Sequence, residues 1–229
     1  MTRTEWSTPS HEVLLNLEGI PLRGDLAIPR DAPGIVVFAH GSGSSRQSPR
    51  NRRVAEMLST AGIGTLLFDL LTPAEERDRE NVFDIPLLAQ RLLAVTRWLA
   101  GNPDSAGRAI GYFGASTGAA AALMAAATSD IPVSAIVSRG GRPDLAGDYL
   151  VKVRAPTLLI VGGRDHAVLE LNRIAYGRLA GPKRLEVIPD ATHLFEEPGA
   201  LQAVSALATD WFLQHLAPAT SEAAPGPPG

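Results

Sequence analysis

Six apolar runs that barely alternate govern what this chain can become: residues 34–39 (GIVVFA), 64–68 (GTLLF), 109–113 (AIGYF), 133–137 (VSAIV), 157–161 (TLLIV) and 184–188 (RLEVI). A strand with one face in water alternates apolar and polar residues, whereas a strand covered on both faces reads as a continuous apolar run. Parallel strands buried in this way need crossovers of a dozen or more residues. Helical spacing fills the intervals, at 51–61, 85–99, 117–128, 143–150 and 168–179, with a closing helix at 200–215. The pattern predicts a three-layer α/β domain with a mainly parallel sheet. Residues 11–28 differ, because Val13, Leu15, Leu17, Leu22, Leu26 and Ile28 alternate in part around Gly19 and Gly24. They predict an antiparallel hairpin at the sheet's N-terminal edge.

Composition narrows the functional classes. At 229 residues, with no repeat and no internal linker rich in Pro, Gly or Ser, the chain reads as one domain over 1–217. The remainder, 218–229 (PATSEAAPGPPG), has almost nothing to bury and is expected to be disordered. The absence of cysteine excludes disulfides, thiolate metal sites and a cysteine nucleophile. A net charge of −3 supplies no basic excess for nucleic acid. Residues 1–11 lack the apolar core of a secretory signal, and no run reaches the roughly 20 apolar residues of a membrane span. The expectation is a cytoplasmic protein that acts on a small molecule, away from membranes.

In open α/β sheets ligands bind beyond the carboxyl ends of the strands, so polar residues after each run are the first candidates for chemistry. Gly114-Ala115-Ser116-Thr117-Gly118 follows the run 109–113 and opens the Ala-rich stretch 117–128. The G-x-S-x-G spacing puts a serine on a tight strand-to-helix turn with Oγ pointing out of the sheet. A glycine-rich turn that only lets an alanine helix pack closely has the same pattern.

Serine is a weak nucleophile without a base, and the base needs an orienting acid. Asp165 follows the run 157–161 and His193 follows the run 184–188. The order serine, aspartate, histidine is that of α/β-hydrolases. A helix N-cap for Asp165 and a backbone-bound loop histidine for His193 are the ordinary alternatives. His166 is a weaker competitor for the base. Oxyanion donors are expected from the N–H of Thr117 and from the loop His40-Gly41-Ser42-Gly43, with the Ser42 N–H first and Gly43 second. His40 is expected to shape this loop.

Longer strings carry a resemblance. HGSGSSRQSPRNRRVAEML, FDLLTPAEE, NVFDIPLLAQRL, GYFGASTGAAAAL, SRGGRPDLAG, LLIVGGRD and ATHLFEEPGAL are similar to the dienelactone-hydrolase-like branch of the α/β-hydrolase superfamily. More narrowly, the chain resembles small hydrolase modules that also occur fused to phosphoribosyltransferase domains. The resemblance spans about residues 36–216 and implies Ser116 as nucleophile, Asp165 as acid and His193 as base. Ser116 stands where dienelactone hydrolases proper carry a cysteine, so the resemblance informs the mechanism more than the substrate.

Arginines gather at the same edge. Arg46, Arg50, Arg52 and Arg53 follow the run 34–39, and Arg139 and Arg142 follow the run 133–137. Arg46 and Arg139, with His40, Gly41 and Gly43, are candidates for contacting substrate, since arginine offers a fork to carboxylate or phosphate. Equally, the arginines could pair with Glu75, Glu76, Asp78, Glu80 and Asp84 in a structural network. Only about 20 residues separate Val137 from Thr157, the usual place of a cap domain, so an open cleft suited to small or exposed esters is expected. The resulting reading is a serine hydrolase of carboxylic esters without metal or organic cofactor. A thioesterase or acyltransferase, or a non-catalytic binding module on the same fold, stands as the alternative.

Overall fold

A computed structural model describes residues 9–216. Eight strands form one sheet in the order β1-β2-β4-β3-β5-β6-β7-β8. They are β1 His11–Leu17, β2 Ile20–Ala27, β3 Gly34–Ala39, β4 Gly64–Phe68, β5 Ala109–Ala115, β6 Val133–Arg139, β7 Thr157–Gly162 and β8 Lys183–Ile188. β1 pairs antiparallel with β2, β2 antiparallel with β4, and every later pairing is parallel. The helices are α1 Pro49–Thr60, α2 Arg79–Phe83, α3 Ile85–Gly101, α4 Thr117–Thr128, α5 His166–Arg178 and α6 Ala200–His215, joined by 3-10 segments at Glu75–Arg77 and Pro143–Lys152.

The lack of alternation follows from this arrangement. Ile35, Val37 and Ala39 of β3 enter a core shared with Leu88, Leu92 and Val95 of α3 and the alanines of α4. Val36 and Phe38 enter a second core with Val54 and Leu58 of α1 and Val204, Ala208 and Phe212 of α6. Both faces of the central strands are therefore apolar. Helix α4 has no polar face at its start, since Thr117 through Ala125 are all buried between the sheet and α3. Its alanines keep it slim enough to fit there.

β5 and β6 each run two residues beyond their apolar stretches, to Ala115 and Arg139, which pair with each other. α1 starts at Pro49, ahead of the expected 51, because Ser48 caps it by accepting the Asn51 N–H. The helix expected at 143–150 is instead a 3-10 segment broken at Gly147, whose φ of +53° interrupts the helical path. Sequence reasoning missed the Glu75–Arg77 turn and α2, which lie between β4 and α3. No large cap sits between β6 and β7. Among the described residues no helix is long and apolar enough to cross a membrane. The tail expected at 218–229 lies outside the described residues.

Candidate active site

Ser116 joins β5 to α4 with φ +51° and ψ −122°. A residue with a Cβ is strained there by about 1–3 kcal/mol, so surrounding structure must hold it. The flanking glycines supply the fit: a Cβ on Gly114 would stand 2.4 Å from Ala119 Cα, and one on Gly118 2.2 Å from the Ala39 carbonyl oxygen. The backbone is pinned as well. Ser116 N–H donates to the Arg139 carbonyl (3.3 Å), and the Ser116 carbonyl accepts from Arg142 N–H (3.0 Å) and Ala119 N–H (3.1 Å). A serine at a helix N-cap ordinarily spends its hydroxyl on the first turn. Here it makes no such bond; Ser116 is half-buried, with Oγ beside Gly41.

Asp165 also occupies an N-cap position, at the start of α5, and it too makes no side-chain cap bond. Its Oδ2 instead lies 2.7 Å from His193 Nδ1. The carboxylate is mostly buried and the imidazole is 39% exposed. This pairing puts the Nδ1 proton on the aspartate side and leaves Nε2 as the basic nitrogen. Ser116 Oγ forms no hydrogen bond among the described residues, so the serine–imidazole contact is open. Such contacts commonly tighten only around a substrate. His166 is exposed beside this pair and takes no part in it.

The oxyanion side departs from expectation. Ser42 N–H donates to Thr117 Oγ1 at 2.9 Å, so this donor is already engaged. The signal was invisible in sequence because it joins a backbone group to a side chain 75 positions away. Thr117 N–H stands at the first helical position, where no intrahelical acceptor exists. Gly43 adopts φ +69°, and Gly41 lies against the nucleophile, since a Cβ there would be 3.0 Å from Ser116 Cβ. A cavity of about 740 Å³ opens next to this loop, lined by Gly41, Ser42, Leu71, Val82 and Phe83 among others.

His40 lines the same cavity, with its ring nitrogens already engaged. Its Nε2 accepts the Leu70 N–H at 3.1 Å and its Nδ1 donates to the Gly41 carbonyl at 3.1 Å, which uses both ring nitrogens. Burial lowers its pKa below the ordinary value, only partly offset by Gly41 and Asp69. It staples the end of β4 to the loop after β3.

Most of the arginines are committed too. Arg46, a candidate for contacting substrate, reaches Asp25 (2.6 Å), Glu12 (2.8 Å) and Asp69 (3.2 Å) in an ionic network. Burial opposes its charge, but the three carboxylates outweigh burial and hold the guanidinium more firmly protonated. Arg142 grips Asp144 with two bonds of 2.9 and 2.8 Å, Arg50 pairs with Glu196, Arg53 with Glu56, and Arg52 reaches Gln47. None of these partners belongs to the acidic set expected from 75–84, where Glu75 serves Arg91 instead. Arg139 is the exception: it is buried without an ionic partner among the described residues.

Comparison with known proteins bears on the family and the fold. Residues 32–215 match a family model described as "Alpha/beta hydrolase domain". A Mycobacterium tuberculosis protein named "Putative phosphoribosyl transferase" is 63% identical over 210 residues, covering 92% of this chain and 46% of that protein. The chain thus spans about half the length of the curated relatives it matches. A crystal structure of a dienelactone hydrolase from Anabaena variabilis superposes with a TM-score of 0.89 at 56% identity, covering 91% of this chain and 99% of that one. Est1E from Butyrivibrio proteoclasticus, at 18% identity and a TM-score of 0.75, shares the fold over 89% of this chain and 98% of its own.

Proposed function

The chain belongs to the alpha/beta hydrolase domain family, and from that premise we propose that it is a serine hydrolase that cleaves carboxylic esters through an acyl-enzyme. The observation that carries this reading is the Asp165 carboxylate, withheld from the helix it caps and turned onto His193 Nδ1 at 2.7 Å. His193 Nε2 takes the proton of Ser116 Oγ as the oxygen attacks the ester carbonyl, and Asp165 stabilises the imidazolium that results. The developing oxyanion is received by the Thr117 N–H and by the Ser42 N–H, once the Thr117 hydroxyl turns away from the latter. His193 then gives its proton to the departing alcohol and activates the water that releases the acid. The mechanism draws on no metal or organic cofactor.

The unit that does this is one domain over 1–217, acting in the cytoplasm on small or exposed esters. The serine in place of a dienelactone hydrolase cysteine turns the reading towards esters in general. A transferase name on relatives about twice as long is accounted for if that activity lies in the part of them this chain does not span. The test is labelling with a fluorophosphonate, read by mass spectrometry, beside hydrolysis of short 4-nitrophenyl esters. An adduct on Ser116, with label and turnover both lost in Ser116→Ala, is the expected result; no adduct together with only background hydrolysis returns the domain to a binding role.

A further inference from the structure

Arg139 is 8% exposed, and its Nε and Nη1 are buried without a hydrogen-bond partner among the described residues. The charge that acts on it is another cation, Arg50, whose Nε is likewise buried and unpartnered among the described residues. Beneath the guanidinium lies the Phe195 ring, 5.9 Å from its centroid. Burial, and then Arg50, pull the Arg139 pKa down to about 10, which leaves it charged at neutral pH. Buried charges in proteins are paired, because an isolated one forfeits its hydration without return. Glu196 does not supply the missing anion, for it binds the outer Nη1 of Arg50 at 2.9 Å and is itself 64% exposed.

The surroundings of Arg139 are those of the reaction. Its carbonyl accepts the Ser116 N–H, Phe195 stands two residues beyond His193, and Arg50 lies in the first turn of α1, directly after the loop that carries Gly41, Ser42 and Gly43. By the alternation of β6 its side chain shares the sheet face of Val137, on the side of α1 and α6. We propose that Arg139, assisted by Arg50, holds a carboxylate or phosphate group of the substrate, so that the ester cleaved at Ser116 is anionic. This inference rests on the serine-hydrolase reading for its chemistry, though the anion site stands on the unpaired guanidinium of Arg139 and the unpartnered Nε of Arg50. A planar guanidinium presents paired N–H donors to two oxygens of such a group, and a second cation alongside strengthens the hold.

Three esters separate the sources of the anion: 4-nitrophenyl hydrogen succinate, 4-nitrophenyl 3-phosphonopropanoate and the neutral 4-nitrophenyl butanoate. The wild type is expected to favour one of the anionic esters in kcat/KM. In Arg139→Met that preference falls about 10- to 100-fold, mostly through KM, as the loss of a hydrogen bond to a charged group implies. Arg50→Gln, at a more exposed position, gives a smaller fall and carries the same comparison if Arg139→Met does not fold. A preference unchanged in both variants overturns the proposal and makes Arg139 a packing group.

A second readout needs no turnover. Succinate or inorganic phosphate, at constant ionic strength, raises the Tm of Ser116→Ala, and adding Arg139→Met removes the shift. If neither anion shifts Tm, the anion site is refuted. If phosphate stabilises the protein but the ester preference does not move in Arg139→Met, the site serves a free anion and the substrate assignment fails. Absence of fluorophosphonate label on the wild type marks failure of the hydrolase reading instead, with the Tm comparison still deciding the anion site.

Discussion

Two charged clusters at the carboxyl edge of the sheet are built on opposite plans. Around Arg46 the guanidinium meets Asp25, Glu12 and Asp69, while the Arg46 backbone N–H also goes to Asp69. That cluster ties β1, β2 and β4 to the loop after β3. After β7 and β8, by contrast, Asp165 has an imidazole partner, and the far nitrogen of His193 is left without one among the described residues. A cluster that stabilises the fold uses up its donors and acceptors; one that serves chemistry keeps a valence open and accepts the strain of Ser116 nearby. Arg139 resembles the second kind, which is why an unpaired arginine there carries more meaning than four paired ones elsewhere.

The comparison can be broken by exchanging consequences. Asp165→Asn should lower kcat for short 4-nitrophenyl esters by about 10⁴-fold, because the amide favours the wrong imidazole tautomer. Its melting temperature should stay within a few degrees of wild type. Arg46→Ala should do the reverse, costing about 2–4 kcal/mol in urea unfolding by stranding the largely buried Asp25 and Asp69, while Glu12 keeps Arg23, with kcat changed less than about threefold. Were Arg46→Ala instead to cut turnover steeply at unchanged stability, the two clusters would not divide as described.

The smallest effect concerns the staple between them. Burial depresses the pKa of His40, so the unfolded chain takes up that proton before the folded one does. Stability is then full above the ordinary value of 6.5 and declines as pH falls below it, by up to about 1.4 kcal/mol per unit. His40→Gln keeps an acceptor for the Leu70 N–H and should flatten the slope relative to wild type in urea melts between pH 7 and 5.

How much of this was legible depended on whether the signal was local. β3 at Gly34–Ala39, α4 at Thr117–Thr128 and α6 at Ala200–His215 have the ends that their apolar patterns predict. The edge hairpin was readable for the same reason. α2 was not, because Arg79–Phe83 is short, mostly polar and begins on an Asp78 cap without an apolar period. The pairing of Asp165 with His193 could be anticipated from position after adjacent parallel strands. The partners of Arg46 could not, since Glu12, Asp25 and Asp69 become neighbours only through the strand order β1-β2-β4-β3. The Ser42 to Thr117 contact failed for the same cause, as side-chain rotation leaves no trace in sequence.

Helix α4 has a further consequence for the timing of motion. Beyond its open first turn, residues Ala121 to Ala125 are buried within the helix, so their amides meet solvent only when a large part of the protein opens. Hydrogen exchange there should be among the slowest in the molecule, whereas α2, five residues long with Phe83 half exposed, should exchange quickly. Ser116 is thus mounted on a helix whose body is buried, while the Val82 and Phe83 wall of the neighbouring cavity belongs to a short helix with no buried residue.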